Sequence, residues 1–185
     1  MPDLNGDPLR RYYGFSGMID DDGVTRIAAA FNQAVNEGTE EVHLCLNSLG
    51  GYVHSGIYLY NHIRALPLSV VMYNIGSVAS IAVAVFAAAD QRFCSEHGVF
   101  MIHPTSLSPQ AGMTATLLQS SLNGALADDL RTENILRERA RIPEETLSAR
   151  RSKDVHITPQ EALAFGLVNE VREFTLPEGH MILQV

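Results

Sequence analysis

The feature that most constrains this chain is Leu68-Ser69-Val70-Val71-Met72-Tyr73-Asn74-Ile75, a nearly continuous apolar run that reaches Gly76 and leads into an equally apolar segment. A strand wetted on one face alternates polar and apolar residues, so an unbroken run predicts a strand covered on both faces, as in a parallel sheet. The segment that follows, 78–89, carries Ser80 near its start and stops at Asp90. It falls short of the about 18 to 20 residues that cross a bilayer. It is therefore predicted to be a buried helix, and no membrane association is expected.

The same strand-to-helix alternation recurs on either side. Residues 12–19 read as a first strand, followed by turn residues Asp20, Asp21, Asp22 and Gly23. Val24, Ile27, Phe31 and Val35 then fall at helical spacing, with Gly38 where a helix would be capped. Val42, Leu44 and Leu46 alternate along a second strand that ends at Asn47-Ser48-Leu49-Gly50-Gly51, and Ile57, Tyr60 and Ile63 mark a helix beyond it. Residues 92–95 and 99–102 read as short strands around the Glu96-His97-Gly98 turn. Residues 114–141 read as one long helix, with Leu118, Leu122, Leu126 and Leu130 four apart, longer than a single core requires. Thr158-Pro159-Gln160-Glu161 has the form of a capping box, Gly166 closes that short helix, and 167–171 return as a strand.

Successive units of this kind predict an α/β fold with a mostly parallel sheet and helices on its faces. With 185 residues, 46% of them hydrophobic and 18% charged, the chain suffices for one core. A single domain over 1–185 is expected, since no linker, repeat or low-complexity stretch interrupts the pattern. The formal net charge of -8 argues against nucleic acid as a partner, because phosphate binding needs a cationic face. Met1 to Asp7 have neither the basic start nor the apolar centre of a secretory signal, so the cytoplasm is the expected compartment. Cys45 and Cys94 lie in apolar strand-like runs without metal-site or disulfide spacing. His43 and Cys45, at alternate strand positions with no further ligand nearby, do not make a metal site. No metal or cofactor is expected.

A serine becomes a nucleophile when a base accepts its proton, so a serine at a strand-to-helix turn is sought together with a histidine and a carboxylate. Ser80 stands at such a turn, after the small residues Gly76-Ser77-Val78-Ala79. The bland alternative is a helix cap. His103 ends an apolar strand just before Pro104, which stops regular pairing and could present the imidazole at the sheet rim; its bland alternative is a hydrogen-bonded structural histidine. Gly50 and Gly51, taken alone, read as a turn.

Taken together, these segments resemble the proteolytic subunit of the Clp protease. Asn47-Ser48-Leu49-Gly50-Gly51 resembles the family's Asn-Ser-Pro-Gly-Gly, and Gly76-Ser77-Val78-Ala79-Ser80-Ile81 its Gly-Gln-Ala-Ala-Ser-Met turn. Arg92-Phe93-Cys94 resembles the strand preceding its histidine, and Met101-Ile102-His103-Pro104 its Met-Ile-His-Gln-Pro. Asp154, with Thr158, Glu161-Ala162 and Gly166-Leu167-Val168 after it, resembles the segment holding its catalytic aspartate. The similarity spans about residues 12 to 172, several matches standing in family order.

The resemblance implies a ClpP/crotonase-like fold: repeated β-β-α units, a mostly parallel sheet flanked by helices, and a protruding long helix. It implies a serine endopeptidase with Ser80 as nucleophile, His103 as general base and Asp154 orienting the histidine. It places the oxyanion hole at the backbone N–H groups of Gly51 and Ile81. Substrates would be unfolded or extended polypeptides, the assembly a homo-oligomeric ring, and an AAA+ unfoldase a partner. Three alternatives stay open: a serine-lysine protease using Lys153, the chain's sole lysine; a crotonase-like acyl-coenzyme A enzyme; and a non-catalytic ring subunit. The chain departs from the family pattern where Leu49 replaces proline, Ile81-Ala82 replace Met-Gly, and Lys153 replaces an arginine. Residues 104–112 also lack the family's paired glycines and include Pro109.

Overall fold

The computed structural model describes residues 9–185; the readings made on Met1 to Asp7 lie outside them. In chain order the elements are β1 (Arg10–Ser16), α1 (Asp21–Asn36), β2 (Glu41–Ser48), α2 (Val53–Ala65), β3 (Ser69–Ala79), α3 (Ile81–Ala87), β4 (Gln91–Cys94) and β5 (Val99–Ile102). There follow α4 (Ala115–Arg139), α5 (Glu144–Ala149), β6 (Val155–Ile157), α6 (Pro159–Ala164), β7 (Glu170–Val171) and β8 (Ile182–Gln184). The sheet runs β6-β5-β3-β2-β1-β8, with β4 joined to β3 and β7. Every pairing is parallel except β5 with β6.

Local chemistry accounts for most boundaries. Asp20 caps α1 by accepting from the Gly23 N–H, so the acidic residues read as a turn are the cap and first turn of a helix. Thr114 caps α4 through the Leu117 N–H. Thr158 and Glu161 form the expected reciprocal box with Pro159 inside the first turn of α6.

β3 is the centre of the molecule. Its first half pairs with β4, from Val71↔Gln91 to Asn74↔Cys94, and its second half with β5, from Ser77↔Val99 to Ala79↔Met101. The two short strands around 96–98 are therefore successive partners of one long strand, not a hairpin. Val78 and Ala79, read as the start of the buried helix, instead continue the strand with Gly76 and Ser77 up to Ser80, and the helix runs from Ile81 to Ala87.

Strand alternation sorts the core. Leu44, Leu46, Val70 and Met72 face the large cluster that holds the buried residues of the helices. Cys45, Val71, Tyr73 and Phe93 face the opposite way and are covered by Phe174. The expected cover on both faces of β3 is thus a helical layer on one side and a thin aromatic layer on the other. Both cysteine thiols are buried and unpaired, and burial pushes each up to about 12. Every residue of α3 is buried, which is why so apolar a helix belongs inside the protein. It packs against α2 at Gly56, where a Cβ would stand 2.2 Å from Ile81 Cγ1. Among the described residues no helix is long and apolar enough to cross a membrane.

The long helix α4 buries only Ala125, Thr132, Glu133, Ile135 and Leu136. Leu118, Leu122, Leu126 and Leu130 are 42% to 61% exposed. The repeat that predicted the helix therefore marks its solvent face rather than a core face.

Candidate active site

Parallel pairing of Ala79 with Met101 brings the ends of β3 and β5 out at the same rim. The Ser80 N–H donates to the Met101 carbonyl at 2.7 Å, which fixes Ser80 beside the strand that ends one residue before His103. Ser80 has φ 56 and ψ -132, and it is the one non-glycine residue with positive φ among those described. L-residues avoid such backbone because the Cβ meets neighbouring carbonyl groups, and holding one there costs about 1–3 kcal/mol. Although it stands at the N-cap position of α3, its side chain makes no capping hydrogen bond. That removes the bland reading of a serine at a helix start.

The glycine loop closes on the same point. At Gly50, φ is +101, and a Cβ there would stand 2.6 Å from the Ser80 Cβ and 2.9 Å from the Ala79 carbonyl oxygen. Ile19 bonds to the Gly50 carbonyl and the Tyr52 N–H, both at 2.9 Å, which leaves the Gly51 N–H outside that bridge. Ile81 opens α3, so its N–H has no partner within the helix. Ser80, His103, Gly51 and Ile81 all line one cleft of about 600 Å³. Its opposite wall is α4, through Ser121, Gly124, Ala125 and Asp128.

Asp154 is placed differently. β5 and β6 pair antiparallel, with Ile102 opposite Val155, so His103 and Asp154 stand opposite one another one step beyond the ladder. Asp154 is nevertheless exposed and outside the lining of the cleft. Among the described residues, the His103 ring makes no hydrogen bond with Ser80 or Asp154. The structure brings Ser80, His103 and both amide positions into one cleft, and sets Asp154 beside the histidine without joining their side chains. Lys153 is likewise exposed and off the lining.

Sequence reasoning missed the ionic group behind the cleft. Arg150 is 2% exposed and meets Asp129 and Glu133, both at 3.4 Å. Burial holds the Arg150 guanidinium below its ordinary value against the opposing pull of Asp129 and Glu133. A hydrogen bond from Arg151 holds the Glu133 carboxyl below the usual carboxylate range, against the effect of burial. The nearest sequence signal was the Arg150-Arg151 pair, but nothing local tied it to acids on α4.

A profile of the Clp protease family matches residues 13–174. The chain belongs to the Clp protease family. It is 27% identical over 168 residues to the ATP-dependent Clp protease proteolytic subunit 2 of Pseudomonas aeruginosa, covering 88% of this chain and 83% of that one. It is 31% identical over 137 residues to the subunit of the same name from Chlamydia muridarum, covering 72% of this chain and 66% of the relative. A solved structure of a ClpP1 variant from Listeria monocytogenes superimposes with a TM-score of 0.78 over 91% of this chain and 93% of its own, at 20% identity. The Clp protease fold is thus present from β1 to β7, which spans the whole cleft.

Proposed function

We propose that this member of the Clp protease family is a serine endopeptidase acting on extended polypeptide. Ser80 attacks the peptide carbonyl, and His103 takes its proton and returns it to the leaving amine. Asp154 holds the imidazole tautomer, and the N–H groups of Gly51 and Ile81 receive the oxyanion. The observation that carries this reading is Ser80 itself: a strained serine at a strand-to-helix junction, its hydroxyl unused as a cap, in one cleft with a histidine and two amide positions. The adjacency of His103 and Asp154 across the end of the β5–β6 ladder supports the third role once their side chains turn toward one another. Catalytic hydrogen bonds commonly tighten only with substrate bound.

Relatives named as ATP-dependent proteolytic subunits support a ring of copies working with an AAA+ unfoldase in the cytoplasm. The exposed leucines of α4 offer a face for subunit contact. The exposed position of Asp154 favours, as a second reading, a ring subunit that is inactive until His103 and Asp154 align.

Labelling with a fluorophosphonate, with the adduct located by mass spectrometry, separates these readings. An adduct on Ser80 that is lost in Ser80→Ala and His103→Ala and retained in Lys153→Ala is the expected result. Dependence on Lys153 would replace the triad with a serine-lysine dyad, and no adduct in any oligomeric state would favour the inactive subunit.

A further inference from the structure

The segment that carries His103 is short of supports of its own. β5 ends at Ile102, Pro104 follows the histidine, and residues 103–110 belong to no helix or strand. What fixes the segment comes from elsewhere in the chain. The Arg150 Nη2 donates to the His103 carbonyl oxygen at 3.3 Å. The Asp129 Oδ1 accepts from the Thr105 N–H at 2.7 Å and from the Thr105 hydroxyl at 2.9 Å. Arg150 and Asp129 also meet one another at 3.4 Å.

These two side chains therefore hold one residue on either side of Pro104 and close a ring of contacts through their own ion pair. Asp129 comes from α4 and Arg150 follows α5. Glu133, one turn along α4, takes the other arm of Arg150 together with Arg137 and Arg151, and balances the buried charge. A guanidinium this deeply buried is tolerated only while paired, which keeps Arg150 with Asp129 and Glu133. Arg150 and Asp129 each bond the backbone segment that bears the imidazole.

We infer that Asp129 and Arg150 are positioning residues for His103, a clamp that locks the 103–105 segment to α4 and so sets where the general base stands relative to Ser80. Neither side chain is asked to touch substrate. The inference rests on the peptidase reading for its catalytic consequence but not for its structural one, and the two are separable. A misplacement of about 1 Å in a catalytic group costs about 100-fold in rate, so a loosened clamp lowers turnover rather than substrate binding.

The test compares wild type with Asp129→Ala, Asp129→Asn and Thr105→Val in the intact oligomer. The substrate is a short fluorogenic peptide, and kcat is expressed per active site titrated with fluorophosphonate. Asp129→Ala is expected to lower kcat by about 100-fold with KM within about twofold. Asp129→Asn keeps an acceptor for Thr105 and is expected to recover part of that loss. Thr105→Val, which removes the hydroxyl donor and leaves the N–H, is expected to show a smaller fall. A merely structural role would lower the melting temperature and the titratable fraction while leaving kcat per site unchanged, and that outcome overturns the inference. Hydrogen exchange at the Thr105 amide provides a reading independent of activity. It is expected to speed up by about tenfold or more in Asp129→Ala, or in Asp129→Asn if the alanine variant does not fold. Unchanged exchange overturns the clamp. A wild type that forms no Ser80 adduct overturns the peptidase reading, and exchange then decides the clamp alone.

Discussion

Replacing Ser80 by glycine or by alanine removes the same hydroxyl but is expected to have different effects on stability. With φ 56 and ψ -132, the Ser80 backbone sits where a Cβ is unwelcome, at a cost of about 1–3 kcal/mol. Alanine keeps the Cβ and the strain. Because the hydroxyl caps nothing, Ser80→Ala is expected to be as stable as wild type to within about 0.5 kcal/mol. Glycine relieves the strain but adds freedom to the unfolded chain, which offsets about 0.5–1 kcal/mol. The difference leaves Ser80→Gly more stable than Ser80→Ala by about 1 kcal/mol, or about 2–4 °C in melting temperature for a chain of this size. Urea denaturation and calorimetry of both variants at one protein concentration measure it. Equal stability, or alanine above glycine, would refute the claim that this backbone stores strain at Ser80.

Gly50→Ala should show the reverse: its new Cβ would press on Ser80 and the Ala79 carbonyl from a residue at φ +101. A loss of about 2–4 kcal/mol is expected, together with slower fluorophosphonate labelling; a wild-type urea midpoint and labelling rate would contradict the packing described. His43 gives a pH dependence. Burial pushes its imidazole below the ordinary value, opposed by Glu41, with Arg10 and Arg172 adding to the lowering. The ring also lies against Tyr73 and stacks on Tyr12. The folded pKa thus lies below the unfolded one near about 6.5, so the neutral ring's contribution is whole above that pH and is lost as pH falls below it. Urea midpoints between about pH 8 and about pH 5 should decline toward acid, and His43→Gln should shallow the decline. An identical slope in the variant would remove His43 from the account.

The fold was legible where local chemistry and periodicity agree. Leu44 and Leu46 alternate, Thr158 and Glu161 cap one another, and Thr114 opens the long helix. The misses share a cause: their partners lie far along the chain. β8 is three exposed residues, Ile182–Gln184, that become a strand because β1 offers an open edge beside Gly14. In α5, Leu147 is the one buried residue, too little to give a period. β3 runs on to Ala79 because Ser77, Val78 and Ala79 find β5, a pairing that small residues do not announce. At the site, Ser80, His103, Gly51 and Ile81 could be named from motifs in order, and they line one cleft. Asp129 and Arg150, 21 residues apart, could not, because an acid on a charged helix and an arginine in a basic pair each look like surface.

The leucine file on α4 also bears on what a stability measurement on this chain means. A lone copy presents Leu118, Leu122, Leu126 and Leu130 to water along one stripe. If further copies of the chain cover that stripe, as the proposed ring requires, they do so only in the folded state, and the apparent melting point then belongs to a mass-action equilibrium and rises with protein concentration. Dilution alone would then weaken the protein without a single substitution, and variants compared at different concentrations would differ for reasons unrelated to their sequence.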